Sequence, residues 1–248
     1  MFGISGSKNF ATSLQAALIS AAGGDNFHPN KRQHDSGWGG VWYSENNQGY
    51  FRTKTPIFKD SYSSKFFETV PEVTLTGLSH ARLASDDNFN RGPFDSHPFV
   101  AHVDDELVYV SHNGEIDKSR LTEYDVENGD ILNDSEFFTY LLEKCRGDSV
   151  KERLDEAAKM VRDNDAMKSA LNLIVLTAKR TGEKKIYYFC DYRDRDWAQY
   201  YSMYTVKTDQ GCAVMSSTVA CKAGFTDENG TVKDGGTSKC EVRKVLSL

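Results

Sequence analysis

The chain has little of what most readily assigns a protein to a class. Its 248 residues hold five cysteines, Cys145, Cys190, Cys212, Cys221 and Cys240, with no Cys-x-x-Cys pair among them. The sequence therefore writes neither a zinc spacing nor an even-numbered disulfide framework. Reduced thiols in the cytoplasm are the expectation. Apolar runs fall short of the roughly 18 residues a membrane span requires, and no basic stretch followed by an apolar one opens the chain. Neither membrane insertion nor secretion is expected. Basic residues are outnumbered, 30 Lys+Arg against 36 Asp+Glu for a net charge of -6. Lys31-Arg32 alone is too short to make the concentrated cationic face that phosphate binding needs. Nucleic acid is excluded on this reading, which leaves a small molecule or a protein as partner. Prolines number five, and no linker or repeat divides the chain, so residues 1–248 are expected to form a single domain.

Metal chemistry is also unsupported. His80, His97 and His112 show no recurring His-x-x-x-His or His-x-x-Glu spacing and read as hydrogen-bonded framework. The run Asp191 to Asp196 interleaves arginines that would repel a calcium ion, which makes it a solvated turn. No cofactor is expected.

What is present suits a sizeable core, with 39% hydrophobic and 12% aromatic residues. Phe2 to Ser5 reads as a short strand, and Phe10 to Ala22 places Leu14, Leu18 and Ile19 at helical spacing before Gly23-Gly24. Turn formers at Asn46 to Gly49 join Val41 to Ser44 and Tyr50 to Lys54 into a hairpin. Val73 to Ala84, Phe99 to Val103 and Leu107 to Ser111 add strands. Asp117 to Tyr124, Asp134 to Cys145 and Val150 to Arg162 read as helices. Leu171 to Ala178, Lys185 to Tyr192, Tyr200 to Lys207 and Cys212 to Ser217 alternate like an antiparallel meander, and Glu241 to Leu246 closes the chain as a strand. The reading is a β-rich α+β domain of two stacked sheets covered by helices.

Six segments carry the chemical signal: Met1-Phe2-Gly3-Ile4-Ser5-Gly6, Asp35-Ser36-Gly37-Trp38-Gly39-Gly40, Ser79-His80-Ala81-Arg82-Leu83-Ala84-Ser85, Ser96-His97-Pro98-Phe99, His112-Asn113-Gly114-Glu115-Ile116 and Asn133-Asp134-Ser135-Glu136. Singly, each has a plain explanation. Asn113-Gly114 is a turn dipeptide, Arg82 a surface ion pair, Asp134 a helix N-cap and Trp38 a core aromatic between glycines. As an ordered set they resemble the glutaminase domain of class II glutamine amidotransferases, nearest to stand-alone members that carry a Gly-Trp-Gly segment.

The resemblance implies a four-layer α-β-β-α sandwich of two mostly antiparallel sheets, the fold of N-terminal-nucleophile hydrolases. It implies that Asn113 and Gly114 donate to the oxyanion, that Arg82 forks onto the α-carboxylate of glutamine beside Ser85, and that Asp134 receives the α-amine. It further implies that Trp38 shapes the floor beside the nucleophile. At the position of that nucleophile, a cysteine in the family, stands Phe2, which has no lone pair to attack an amide. Its ring is expected to occupy the space where thiol and substrate carbonyl would meet. Removal of an initiator Met favours a small second residue, so Phe2 also predicts a retained Met1 and a missing catalytic α-amine. Ser5 is a poor substitute, because a shift of three residues along a strand turns the side chain to the opposite face.

Two further departures stand out. Asp86 follows the Arg82 segment where many relatives have histidine, and Leu83 replaces a tryptophan. The implied protein is a pseudoenzyme that keeps a glutamine or γ-glutamyl pocket. The alternatives are a non-catalytic structural or assembly protein on this fold, or an active amidohydrolase in which Phe2 replaces a natural cysteine. Partners implied are a glutamine-like small molecule, with a homo-oligomer or a separate synthase partner.

Overall fold

Alternation along the first strand decides what faces what. In β1 (Phe2–Ser7) the side chains of Phe2 and Ile4 point to one face and are fully buried there. Gly3 faces the other, where an added Cβ would lie 2.7 Å from Ile174 Cγ2. Close approach of the second sheet thus requires glycine at position 3. β1 runs directly into α1 (Lys8–Gly23), whose Ser7 N-cap accepts from the Phe10 N–H at 3.1 Å. A computed structural model of the protein describes residues 1–84 and 92–248.

The chain continues through β2 (Trp38–Tyr43), β3 (Gln48–Thr53), β4 (Thr74–Ala81), β5 (Phe99–Val103), β6 (Glu106–Ile116), α2 (Asp134–Lys144), α3 (Val150–Asp163), β7 (Met167–Lys179) and β8 (Lys184–Phe189). It ends with α4 (Ala198–Tyr201), β9 (Met203–Thr208), β10 (Gly211–Ser216), α5 (Ser217–Lys222), β11 (Thr237–Lys239) and β12 (Leu246–Ser247). Among the described residues two sheets form, in the orders β11-β9-β10-β1-β4-β2-β3 and β12-β8-β7-β6-β5. Every strand pairing within each sheet is antiparallel.

Three hydrophobic clusters define the layers. Phe2, Ile4, Leu14, Leu18, Phe67 and Val219 fill the space between the larger sheet and its helices α1 and α5. Leu78, Val214, Ile174 and Ile186 lie between the two sheets. Phe138, Leu141, Leu154 and Val161 close the outer face of the smaller sheet under α2 and α3. This is the α-β-β-α order expected of the sequence. No helix among the described residues is long and apolar enough to cross a membrane.

Several expected elements differ in instructive ways. The segment 118–124 is a 3-10 helix rather than an α-helix. The four strands read as one meander belong to two sheets, β7 and β8 in the smaller, β9 and β10 in the larger. Period-2 alternation reports a buried face but not which sheet owns it. The crossover between them carries α4, and β10 turns at Ser216 into α5, a helix the sequence reading lacks. At the C-terminus β12 is only two residues long, paired with Tyr187 and Tyr188 of β8.

Candidate active site

A cavity of about 260 Å³ opens where the ends of β1, β4, β6 and β10 meet the start of α2. Arg82, Asn113, Gly114 and Asp134 all line it. Chain distance separates them, but each is placed by a local cause.

Arg82 follows β4, with its N–H donating to Gly37 O at 2.8 Å and its carbonyl accepting from Ser36 N at 3.1 Å. The Ser36 hydroxyl also accepts from Ala84 N at 3.1 Å. The Asp35-to-Gly40 segment therefore serves as a clasp for the arginine backbone. The Arg82 side chain is buried, where a guanidinium fork can present two parallel donors to a carboxylate.

Asn113 and Gly114 lie near the end of β6, where the register with β7 shifts between Gly114 and Ile116. Such irregularities re-aim the backbone. Gly114 has φ +145°, and a Cβ there would lie 1.9 Å from Ala170 O, so no other residue fits. Asp134 opens α2, but the N-cap is its neighbour: the Asn133 side chain accepts from Glu136 N at 2.9 Å. The Asp134 carboxylate is left to accept from the Ile116 N–H at 3.0 Å, which ties α2 to the end of β6. The plain N-cap explanation of Asp134 thus passes to Asn133.

Phe2 and Trp38 do not line the cavity. The Phe2 ring lies in the core beneath α1, 5.8 Å from the ring of Phe67. Trp38 is in the same core, donating from Nε1 to Asp60 Oδ2 at 2.9 Å and packing on Phe51 and Phe66. The expectations that Phe2 fills the nucleophile's space and that Trp38 floors it place both rings on the wrong side of the sheet, because strand alternation sends residues 2 and 38 toward α1. Met1 lines the cavity instead, its α-amine donating to Ser216 Oγ at 3.3 Å. Burial holds that amine down to about 5, against the pull of the Asp25 carboxylate. Ser5 is exposed and lies outside the cavity lining. Ser85 and Asp86 fall outside the described residues.

Three histidines converge on the same space. His112 bridges Ser135 Oγ at 2.9 Å and Ala170 O at 3.2 Å. Its pKa is pushed down by burial, with the Asp134 carboxylate opposing. The His80 and His97 rings are in contact, tilted by 42° with centroids 4.1 Å apart. Both nitrogens of His97 and Nδ1 of His80 are buried without a hydrogen-bond partner among the described residues. Burial holds both well below the ordinary imidazole value, reinforced at His80 by His97 and the Met1 amine, and at His97 by His112 and Arg82. Among the described residues no group of three or more metal-ligating side chains assembles.

This pair makes stability acid-sensitive. When folded both rings stay neutral; when unfolded they take up protons below about 6.5. Stabilisation is therefore complete above that value and is lost as the pH falls beneath it, each group contributing up to about 1.4 kcal/mol per pH unit. Denaturant unfolding at pH 7.5 and pH 5.5 is expected to show a clear drop in stability at the lower value. Equal stability at the two would contradict the placement of the pair.

The sequence reading missed further residues of the lining: Asp25, His28, His34, Trp197, Tyr200, Tyr201 and Thr218. His28 belongs to none of the six segments, and Trp197 directly follows the charge run Asp191 to Asp196. No local pattern links Asp25 to Thr218, whose hydroxyl donates to it at 2.5 Å across 193 residues of chain.

Comparison with known proteins adds to this geometry. The family described as class II glutamine amidotransferases matches residues 2–179. No curated protein matches the chain. Among solved structures, the glutamine phosphoribosylpyrophosphate amidotransferase from B. subtilis, complexed with ADP and GMP, is 14% identical with a TM-score of 0.59, covering 100% of this chain and 48% of that one. A structure described as the allosteric regulatory enzyme of purine biosynthesis is also 14% identical, with a TM-score of 0.60 and the same coverage. A glutamine aminotransferase class-II domain protein from Silicibacter pomeroyi is 16% identical, with a TM-score of 0.49, covering 85% of this chain and 90% of that one. The chain spans about half the length of the first two. The fold they share with it is the N-terminal-nucleophile-hydrolase sandwich.

Proposed function

We propose, since the chain belongs to the class II glutamine amidotransferases, that it binds glutamine or a γ-glutamyl compound without hydrolysing it. One observation carries this reading: Arg82, Asn113, Gly114 and Asp134 converge on an open cavity, while residue 2, the family's nucleophile position, is a phenylalanine packed into the core. An assembly role with a pocket plugged by the Phe2 ring is disfavoured, because the ring lies beneath α1.

In this reading the Arg82 guanidinium takes the α-carboxylate and the Asp134 carboxylate takes the α-ammonium. The Asn113 amide and the Gly114 N–H donate to the side-chain carbonyl oxygen. In a working enzyme those donors would stabilise the oxyanion of a tetrahedral intermediate. Here no thiolate attacks, and they serve as donors to a neutral carbonyl. The buried guanidinium is the strongest single anchor, since charge-assisted bidentate bonds are about twice as strong as neutral ones.

Calorimetric titration with L-glutamine is expected to give weak but saturable binding, and Arg82→Ala is expected to weaken it by at least about 100-fold, the loss of a buried charge pair. Arg82→Lys is expected to recover only part of it, because an ammonium cannot fork. Undiminished binding by Arg82→Ala would remove the arginine from the site.

A further inference from the structure

We propose that the cavity has a second, aromatic-walled subsite, and that it takes the amine-side component of a γ-glutamyl amide when that component carries an aromatic ring. This rests on the γ-glutamyl reading above and names the substrate class that the same site selects.

The groups that glutamine itself can engage, Arg82, Asn113, Gly114 and Asp134, come from β4, β6 and α2. The same cavity has a wall that none of the atoms of glutamine requires. Trp197, Tyr200 and Tyr201 line it, with Trp197 stacked on Tyr201 at 6.1 Å and 24° and Tyr200 edge-on to Trp197 at 6.0 Å. His28 closes the group, edge-on to Trp197 at 5.4 Å and to Tyr200 at 5.1 Å. Flat faces and edges at these angles match what an additional aromatic ring prefers as neighbours.

The wall is held rigidly. The single turn of α4 is pinned by Asn172 Nδ2 donating to Tyr201 O at 2.6 Å and Ser217 Oγ donating to Tyr200 O at 2.8 Å. The His28 loop is organised by buried Asp25, whose Oδ1 accepts from Phe27 N, His28 N and Thr218 Oγ1 and whose Oδ2 meets His34 Nε2 at 3.1 Å. Burial opposes ionisation of that carboxyl, yet the bonds from His34, Thr218 and Phe27 outweigh it and hold its pKa below the ordinary value. A buried, fully bonded carboxylate that fixes a loop of aromatic contacts is a preorganised wall, and preorganisation is what lets ring burial register as affinity.

Glutamine ends in an unsubstituted amide and leaves this wall uncovered. A γ-glutamyl compound whose amide nitrogen bears an aromatic side chain would place its glutamyl half on Arg82 and Asp134 and its ring against Trp197.

The test titrates the full chain with L-glutamine, γ-L-glutamyl-L-alanine and γ-L-glutamyl-L-phenylalanine. The phenylalanine compound is expected to bind at least about tenfold more tightly than the alanine compound, the order expected from one ring buried among aromatic neighbours. Trp197→Ala is expected to abolish that preference and leave glutamine affinity within about twofold. Equal affinities for the two dipeptides in the unmodified chain, or a preference that survives Trp197→Ala, would overturn the subsite while leaving the glutamine pocket standing. Failure of all three probes to bind would overturn the γ-glutamyl reading and the subsite with it.

Discussion

Purified protein supplied with L-glutamine is expected to release ammonia at least about 10⁴-fold more slowly than a cysteine-bearing glutaminase of this family would. In an N-terminal-nucleophile site the thiolate, its base and the oxyanion donors act as a unit, and loss of the nucleophile alone removes most of the rate enhancement. Asn113 and Gly114 would still polarise a bound carbonyl, but polarisation without an attacking atom leaves only what water can do. Phenylalanine cannot attack, and its ring faces α1 rather than the cavity. The check is a continuous ammonia assay on protein taken through two unrelated columns. Turnover that co-elutes with the protein at ordinary glutaminase rates would show that another group supplies the nucleophile.

Phe2→Ala is expected to destabilise the fold by about 3 to 5 kcal/mol, the range for removing a buried aromatic ring that its surroundings cannot refill. Phe2 is fully buried, and its neighbour Phe67 in turn meets Phe66 edge-on at 4.9 Å. In a chain of this size each kcal/mol shifts the melting temperature by roughly 2 to 4 °C, so a fall on the order of 10 °C should be measured. Glutamine binding by the folded fraction should be unchanged. A small loss of stability together with tighter glutamine binding would mean that the ring sits in the cavity and blocks it.

The sequence was most legible where a motif and a local structural cause coincide. Gly114 needs a positive φ and a close backbone approach, Asp134 begins an amphipathic helix, and Arg82 directly follows the strand β4, so their types and places could be read together. Phe2 and Trp38 were misplaced because a family pattern names the residue nearest the chemistry without saying which face of the strand its replacement will take. Alternation settles that, and Ile4, fully buried beneath α1, was the available clue. The aromatic wall was not legible at all. Trp197 and Tyr200 follow a charged turn, and their meeting with His28 depends on a sheet-to-sheet crossover that no window of the sequence contains. The acid-sensitive histidine pair lies between these extremes: His80 and His97 were seen as framework, but their contact joins the end of β4 to the segment before β5, 17 residues on in the chain.

The central claim is binding without turnover, and a calorimetric titration of the chain with L-glutamine, followed by an ammonia determination on the same cell contents, tests both halves at once. The account predicts a saturable heat with ammonia no higher than in a protein-free control. Ammonia accumulating in proportion to protein and time, or no binding heat at any concentration of glutamine, would contradict it.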